Sequence, residues 1–294
     1  FLAGHNGMIG SAIYKKLKEK KFEILIADRK KLDLTKQDSV YKFLKRNKPK
    51  AIIIAAARVG GIKANIKYPA EFIYENLAIQ NNLIHGGFLN KIQDIIFLGS
   101  SCIYPKNVKQ PMKEKGLLTG KPEETNLAYA LAKIAGVFLC QSYNKQYKTN
   151  YISLIPSNAY GPNDDFNLET SHFFPALINK CHLAKKNKYK TITILGNPNT
   201  KRELIFSEDV ADACLHFLGK KPKDKIINID YATLIMKGMN INLKFNFTGK
   251  YSGIKKKLLD VSLMKKYGFK TKTSLEDGFK FTYEHYLKKI NEKK

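Results

Sequence analysis

The chain has 294 residues, of which 44% are hydrophobic and 26% charged, a composition that indicates a globular protein with a substantial core and excludes a disordered chain. The formal net charge is +27, but the lysines are spread along the whole chain instead of lying on one element between aromatic residues. We therefore expect a solvated basic surface that attracts small anions, and no nucleic-acid partner. The longest apolar runs, such as residues 51–57, are shorter than the ~18 residues of a membrane span, so we expect no membrane partner.

Apolar runs and amphipathic stretches alternate along the first half of the chain. After a first strand that ends near Ala3, strands are predicted over residues 24–27, 51–55, 95–98 and 151–155, and helices over residues 11–20, 36–46, 70–89 and 125–147. This alternation predicts an α/β fold with a doubly wound parallel sheet of the Rossmann type. Ligands of such a sheet bind at the carboxyl ends of its strands.

The second half of the chain is less regular. Residues 158–167 have the composition of a loop, and further elements are predicted as helices over residues 173–184, 208–218 and 275–290 and strands over residues 191–195 and 226–229. We expect a Rossmann domain over residues 1–155. Residues 156–294 then form mainly a smaller α/β substrate domain, interleaved with the last strands of the sheet. Residues 231–259 contain no acidic residue and no clean helical period, so no element is predicted there.

The cysteines bear on metal binding and on the redox setting. Four of them stand at positions 102, 140, 181 and 214. No pair has the C-x-x-C spacing of a zinc or redox motif, and four scattered cysteines are too few for a disulfide scaffold. We expect no metal site and a reducing, cytoplasmic environment.

A glycine-rich turn follows the first predicted strand and opens the first helix. It consists of Gly4, His5, Asn6, Gly7, Met8, Ile9 and Gly10. Glycine permits a tight turn and a close approach of the backbone to a pyrophosphate, and the helix N-terminus offers free N–H groups to it. This position in an αβ series favours a dinucleotide site over a tight turn without a ligand.

Residues at the end of the second predicted strand distinguish NAD from NADP. An acidic side chain there binds the ribose hydroxyls of NAD, whereas an arginine accommodates the 2′-phosphate of NADP. The chain has both types, Asp28 and Arg29. Arg29, with Lys30 beside it, favours NADP.

Tyr129 and Lys133 lie four residues apart on a predicted helix and share one face. Tyr14 and Lys18 have the same spacing, so the spacing alone also fits a surface pair. Ser100, however, ends the central strand that precedes the Tyr129 helix. Reduction of a ketone needs a proton donor for its oxygen, and a lysine ammonium next to a tyrosine eases proton transfer from a group whose ordinary pKa is ~10. Ser100 would orient the substrate oxygen.

Together the glycine spacing at positions 4, 7 and 10, the strand-end serine and the Tyr–Lys pair resemble the extended short-chain dehydrogenases/reductases that act on nucleotide sugars. Longer runs at residues 55–62, 99–106, 129–136 and 158–162 resemble the GDP-L-fucose synthase family within them. Members are NADPH-dependent 3,5-epimerase/4-reductases that convert GDP-4-keto-6-deoxy-D-mannose to GDP-L-fucose. The resemblance thus implies an NADP cofactor and a GDP-sugar substrate.

The same resemblance implies roles for further residues. The epimerising base and acid of the family match Cys102 and His172. Implied cofactor contacts are Leu98, Gly99, Lys133, Pro156, Asn158 and His172. Implied substrate contacts are Lys180, Leu195, Arg202, Lys257 and Asp260. The resemblance also implies a homodimer formed by the helices over residues 70–89 and 125–147, and residues 231–253 are shorter than the corresponding part of the family pattern.

Two alternatives to the epimerase-reductase stay open. One is a related enzyme, such as a GDP-colitose synthase, a pure 4-reductase or a 4,6-dehydratase, although a dehydratase would carry an acidic residue where this chain has Cys102. The other is a non-catalytic NADP-binding homologue, which the basic surface and the short segment favour.

Overall fold

The structure is a computed structural model that describes residues 1–194, 197, 201–230, 234–235, 244–248 and 256–292. Its strands are β1 (Leu2–Ala3), β2 (Ala51–Ile54), β3 (Asp94–Leu98), β4 (Asn150–Pro156), β5 (Asn158–Tyr160), β6 (Thr191–Ile194), β7 (Lys201–Phe206), β8 (Ile226–Ile229), β9 (Leu234–Ile235), β10 (Lys244–Phe247) and β11 (Lys256–Lys257). Its α-helices are α1 (Met8–Glu19), α2 (Gln37–Asn47), α3 (Ile62–Lys67), α4 (Pro69–Leu89), α5 (Leu127–Tyr147), α6 (Phe173–Lys186), α7 (Ser207–Phe217), α8 (Ser262–Lys266) and α9 (Leu275–Asn291).

A five-stranded parallel sheet in the order β1-β2-β3-β4-β8 forms the centre of the molecule. The middle strands are continuous apolar runs because helices cover both faces of a parallel sheet. Helices α4 and α5 pack on each other and on the middle strands, whereas α1 packs on α7. The predicted doubly wound parallel sheet is therefore confirmed. Strand β8 belongs to this sheet although it comes from the second half of the chain.

Two predictions about local structure are wrong. Residues 24–27 do not form a strand of the sheet. The Leu2 amide donates to the Leu25 carbonyl at 2.9 Å, but β1, the neighbouring strand, is only two residues long and offers too few backbone groups for a regular pairing. Residues 158–160 are not loop but strand β5, which pairs in parallel with Leu204–Phe206 of β7. Strand β7 itself escaped prediction because its sequence, Lys-Arg-Glu-Leu-Ile-Phe, begins with three charged residues.

A second apolar cluster lies in the C-terminal half, where β5, β7, α6 and α9 meet. Its buried members include Tyr160, Phe174, Phe206 and Tyr286. A Cβ on Gly278 would lie 2.2 Å from the Tyr160 hydroxyl, so α9 approaches β5 where it has no side chain. This packing fixes α6, whose N-terminal cap is His172.

Of the segment for which no element was predicted, the structure describes β9, β10 and β11. Strand β9 pairs antiparallel with β7, β10 pairs in parallel with β6, and β11 pairs in parallel with β7. The suspected shortening between residues 231 and 253 lies largely outside the described residues. Within the described ranges, no helix combines the length and apolar composition needed to cross a bilayer.

The packing of α5 on the sheet predicts the effect of one substitution. A Cβ on Gly136 would lie 2.5 Å from the Phe97 ring and 2.7 Å from the Gln80 amide oxygen, and both side chains are buried. Alanine normally stabilises a helix by ~1 kcal/mol over glycine, but the overlap outweighs that gain here. We expect Gly136→Ala to lower the free energy of unfolding by about 1–2 kcal/mol in urea titrations. As a control, Ala135→Ser at the exposed neighbouring position should change the free energy of unfolding little. A Gly136→Ala protein that is more stable than the wild type would contradict this packing.

Candidate active site

The glycine turn between β1 and α1 depends on two close backbone approaches. Gly4 has φ of +91°, and a Cβ there would lie 2.6 Å from the Ala56 amide nitrogen. A Cβ on Gly10 would lie 1.9 Å from the Gly4 carbonyl oxygen. Gly7 caps α1 without a side-chain hydrogen bond, so no side-chain cap competes for the first N–H groups of the helix. This leaves the N-terminus of α1 open to a pyrophosphate, whose binding here stays a prediction.

The polar residues of this turn hold Asp28. The Asn6 amide donates to Asp28 Oδ1 at 2.9 Å, and His5 Nε2 lies 3.2 Å from the same oxygen. The Asn6 hydrogen bond lowers the pKa of Asp28. Arg29, next in the chain, has a side chain 75% exposed and lies 3.7 Å from Glu75. The carboxylate of Asp28 thus fixes the turn, while the Arg29 guanidinium is open to an anion.

Ser100, Tyr129 and Lys133 come together at the carboxyl end of β3. Lys133 is 3% exposed, donates to the Leu98 carbonyl at 2.8 Å, and lies 5.9 Å from the centre of the Tyr129 ring. Burial lowers the pKa of Lys133 to about 8. Burial chiefly, and also the charge of Cys102, raises the pKa of Tyr129, while a hydrogen bond with Ser100 opposes this rise. The raised pKa favours the protonated phenol of Tyr129 at neutral pH.

Cys102 lies two residues beyond Ser100, whose Oγ accepts from the Cys102 amide at 3.3 Å. The Asn126 amide donates to Cys102 Sγ at 3.0 Å, and Lys257 Nζ donates to it at 3.7 Å. Lys257 is paired in the β11–β7 ladder with Arg202, which interacts with Cys102 electrostatically. An amide donor and the Lys257 ammonium thus contact the sulfur, and Arg202 acts on it electrostatically. The family resemblance implied that Arg202 and Lys257 contact the substrate, but it did not indicate that either lies near the thiol.

The sequence did not indicate Asn126 as a residue of the site. It precedes α5 directly, and its side chain reaches the sulfur of a residue that follows β3. The only signal in the sequence is its place three residues before Tyr129, which does not reveal that contact.

His172 lies on a different element from Cys102. His172 is the N-terminal cap of α6. The loop before it contacts Gly61, the N-terminal cap of α3. The Gly61 amide donates to the Thr170 carbonyl at 2.8 Å, and a Cβ on Gly61 would lie 2.3 Å from the Ser171 carbonyl oxygen. Burial lowers the pKa of His172, and Asp165 opposes this shift. Within the described part of the chain, no hydrogen bond joins His172 to Cys102, and their roles as epimerising acid and base stay predictions.

The remaining predicted site residues are distributed as follows. Leu98 and Gly99 are buried at the end of β3 and Pro156 at the end of β4, whereas Asn158 is exposed and donates to the Glu203 carbonyl. Lys180 donates to the Thr193 carbonyl at 2.7 Å. The Asp260 carboxylate accepts from the Ser262 amide at 2.9 Å and lies 3.7 Å from Lys113, so in this structure it caps α8. Leu195 lies outside the described residues.

A model of the NAD dependent epimerase/dehydratase family matches residues 1–230, and the chain belongs to this family. Along its full length it is similar to a protein named GDP-L-fucose synthase from Sinorhizobium fredii, with 44% identity over 99% of this chain and 96% of that protein. A solved GDP-6-OMe-4-keto-L-xylo-heptose reductase from C. jejuni has a TM-score of 0.89, 32% identity and coverage of 98% and 97%. A GDP-L-fucose synthetase from Naegleria fowleri, solved bound to NADP, has a TM-score of 0.88, 25% identity and coverage of 99% and 92%.

The exposure of the four cysteines predicts selective labelling. Cys102 is partly exposed, whereas Cys140, Cys181 and Cys214 are 1%, 7% and 0% exposed. We expect iodoacetamide to alkylate Cys102 of the native protein at least about tenfold faster than the other three, because access and thiolate character control the reaction. Peptide mass spectrometry measures this, and Cys102→Ser should take up no label over the same interval. Equal labelling of a buried cysteine would contradict the geometry of this site.

Proposed function

We propose that the chain is an NADPH-dependent epimerase-reductase that converts GDP-4-keto-6-deoxy-D-mannose into GDP-L-fucose. Its family and the names of its full-length relatives support this activity. The observation that carries the proposal is Cys102. A thiol held by Asn126 and Lys257 lies beside the Ser100–Tyr129 pair, so one site holds both a carbon base and an oxygen acid. A dehydratase has no evident use for a thiol at this position.

The glycine turn and the strand ends provide the cofactor site. Residues 4–10 would bind the pyrophosphate through backbone N–H groups, and Arg29 would bind the 2′-phosphate. Leu98, Gly99, Pro156 and Asn158, at the carboxyl ends of β3 and β4, would line the nicotinamide side. Bound there, NADPH supplies the hydride for C4 of the sugar.

Tyr129 gives its proton to the C4 oxygen as the carbonyl carbon is reduced. Its raised pKa keeps the phenol protonated beforehand, and Ser100 orients the same oxygen. The buried ammonium of Lys133, fixed by the Leu98 carbonyl, stabilises the negative charge that then develops on Tyr129.

Epimerisation precedes reduction, because the C4 ketone makes the hydrogens on C3 and C5 acidic. Cys102, whose sulfur contacts Lys257 and Asn126, removes such a proton from one face. His172 returns a proton from the other face. Burial lowers the pKa of His172, which makes its imidazolium a readier proton donor, and Asp165 opposes this shift.

The C-terminal half would bind the nucleotide. Arg202 and Lys180 offer positive charge to a diphosphate, and Lys257 serves both the thiol and the sugar side. Asp260 and Leu195 stay predictions as substrate contacts. We assign residues 156–294 mainly to this substrate domain and residues 1–155 to the cofactor domain.

A second candidate is a reductase of another GDP-linked keto sugar that does not invert its substrate. The TM-score of 0.89 to a heptose reductase favours it. Incubating the purified protein with GDP-4-keto-6-deoxy-D-mannose and NADPH separates the possibilities: GDP-L-fucose as product supports the epimerase-reductase, reduction without inversion supports the second candidate, and no turnover supports the non-catalytic homologue.

We also propose a cytoplasmic homodimer. All four cysteines are free thiols, which suits a reducing compartment. Helices α4 and α5 pack side by side, and they expose Tyr74, Leu131 and Phe138. Leu131 and Phe138 are seven residues apart, so they lie on one face of α5.

Two substitutions should separate the chemical steps. Tyr129→Phe removes the proton donor, so NADPH oxidation should fall at least ~100-fold while solvent deuterium still exchanges into C3 and C5. Cys102→Ser should abolish that exchange but still allow reduction without inversion, giving a rhamnose-type product. NMR of the recovered sugar and NADPH absorbance measure the two steps. Wild-type exchange at both carbons in Cys102→Ser would show that the cysteine is structural.

The dimer predicts the effect of a charge on its face. Leu131→Glu should convert the protein to a monomer in light scattering at micromolar concentration, because it buries a carboxylate in an apolar interface. Phe22→Glu is the matched control, since Phe22 is exposed to a similar degree, 50% against 44%, but lies away from α4 and α5. A wild-type protein that is already monomeric would refute the dimer.

A further inference from the structure

Two arginines from separate parts of the chain meet at one carboxylate, that of Glu75 on α4. Arg58 Nη1 donates to Glu75 Oε1 in a short ion pair, and Arg29 Nη2 lies 3.7 Å from Glu75 Oε2. The Glu75 side chain is 17% exposed, whereas that of Arg29 is 75% exposed. The carboxylate therefore lies between two guanidinium groups, one of them largely exposed.

Arg58 is held far more firmly than Arg29. The buried Asn76 clamps its backbone from both sides: Oδ1 accepts from the Arg58 amide at 3.0 Å, and Nδ2 donates to the Arg58 carbonyl at 3.0 Å. Its guanidinium also lies 5.8 Å and 5.6 Å from the ring centres of Tyr68 and Phe72. Such packing holds an arginine in one conformation, so less freedom is lost when it binds an anion.

Both arginines flank the glycine turn. Arg58 lies two residues beyond Ala56, whose amide touches Gly4, and Arg29 follows Asp28, which anchors Asn6 of the turn. Asn6 carries no charge, so the turn itself supplies no cation to a phosphate on the ribose. The end of β2 supplies one in the form of Arg58.

We propose that Arg58 and Arg29 together bind the 2′-phosphate of NADPH, and that Glu75 limits how strongly the site prefers NADPH over NADH. This inference rests on the proposed assignment of Arg29 to the 2′-phosphate. The Glu75 carboxylate orients both guanidinium groups and competes with the phosphate for them. A phosphate carries more charge and more acceptor oxygens than a carboxylate, so it binds the same pair of arginines more strongly.

Removing the positive charge of Arg58 should therefore weaken NADPH binding, and removing the negative charge of Glu75 should strengthen it. We expect Arg58→Gln to weaken NADPH binding at least about tenfold and to change NADH binding less than about twofold, with partial rescue in Arg58→Lys. Glu75→Gln should strengthen NADPH binding by about three- to tenfold and leave NADH binding unchanged, because it removes a negative charge next to the phosphate. Arg46→Gln, at the exposed end of α2, is the control and should change neither.

The measurement is the dissociation constant of each dinucleotide by reduced-nicotinamide fluorescence, with 2′,5′-ADP as a competitor that probes the pocket without turnover. Urea unfolding of each variant reports its folding. Equal weakening of NADPH and NADH in Arg58→Gln, or unchanged NADPH affinity in Glu75→Gln, overturns the inference. If Arg29→Gln reduces the preference for NADPH while Arg58→Gln does not, the inference fails but the proposed function stands. If neither arginine affects the preference, the inference and the proposed role of Arg29 fail together.

Discussion

Lys133 is a lysine that is 3% exposed and donates to the Leu98 carbonyl at the end of β3. Its pKa is lowered to about 8 by burial, so a protonated side chain there depends on that carbonyl and on the ring of Phe97, 4.8 Å away. This bond fixes the rotation and height of α5 against the central strand. Tyr129 lies on α5, and Asn126 is its N-terminal cap. The position of α5 therefore determines where Tyr129 lies relative to Ser100 and where Asn126 lies relative to Cys102.

The charges around Cys102 depend on a different constraint, the register of a short ladder in the C-terminal half. Lys257 and Arg202 are ladder partners, and paired residues of adjacent strands present their side chains to the same face. The next residue on β7, Glu203, points to the opposite face and is buried. Its carboxyl accepts from the Leu259 amide at 2.7 Å, and burial together with Asp230 raises its pKa. This buried carboxyl thus anchors the segment that follows Lys257.

The sequence predicts those features of the site that depend on local spacing. The glycine turn, the i, i+4 pair of Tyr129 and Lys133, and the strand-end position of Ser100 are all visible within a few residues. The contacts that involve Asn126 and Glu75 are not, because each joins residues more than fifteen positions apart through side-chain geometry. Strand β5 escaped prediction for the same reason: its partner lies over forty residues away in β7, and three residues carry no period of their own.

The net charge of +27 and the charges within the site act over different ranges. Exposed lysines attract an anionic substrate, but salt screens them beyond a Debye length of ~8 Å at physiological ionic strength. They therefore affect the rate of encounter more than the choice of ligand. The inner cations differ because each is fixed by a partner: Arg58 by Asn76 and Glu75, Lys257 by the ladder with Arg202, Lys180 by the Thr193 carbonyl. A fixed cation binds best an anion of matching geometry, so we expect ligand recognition to depend on these few side chains more than on the lysine-rich surface.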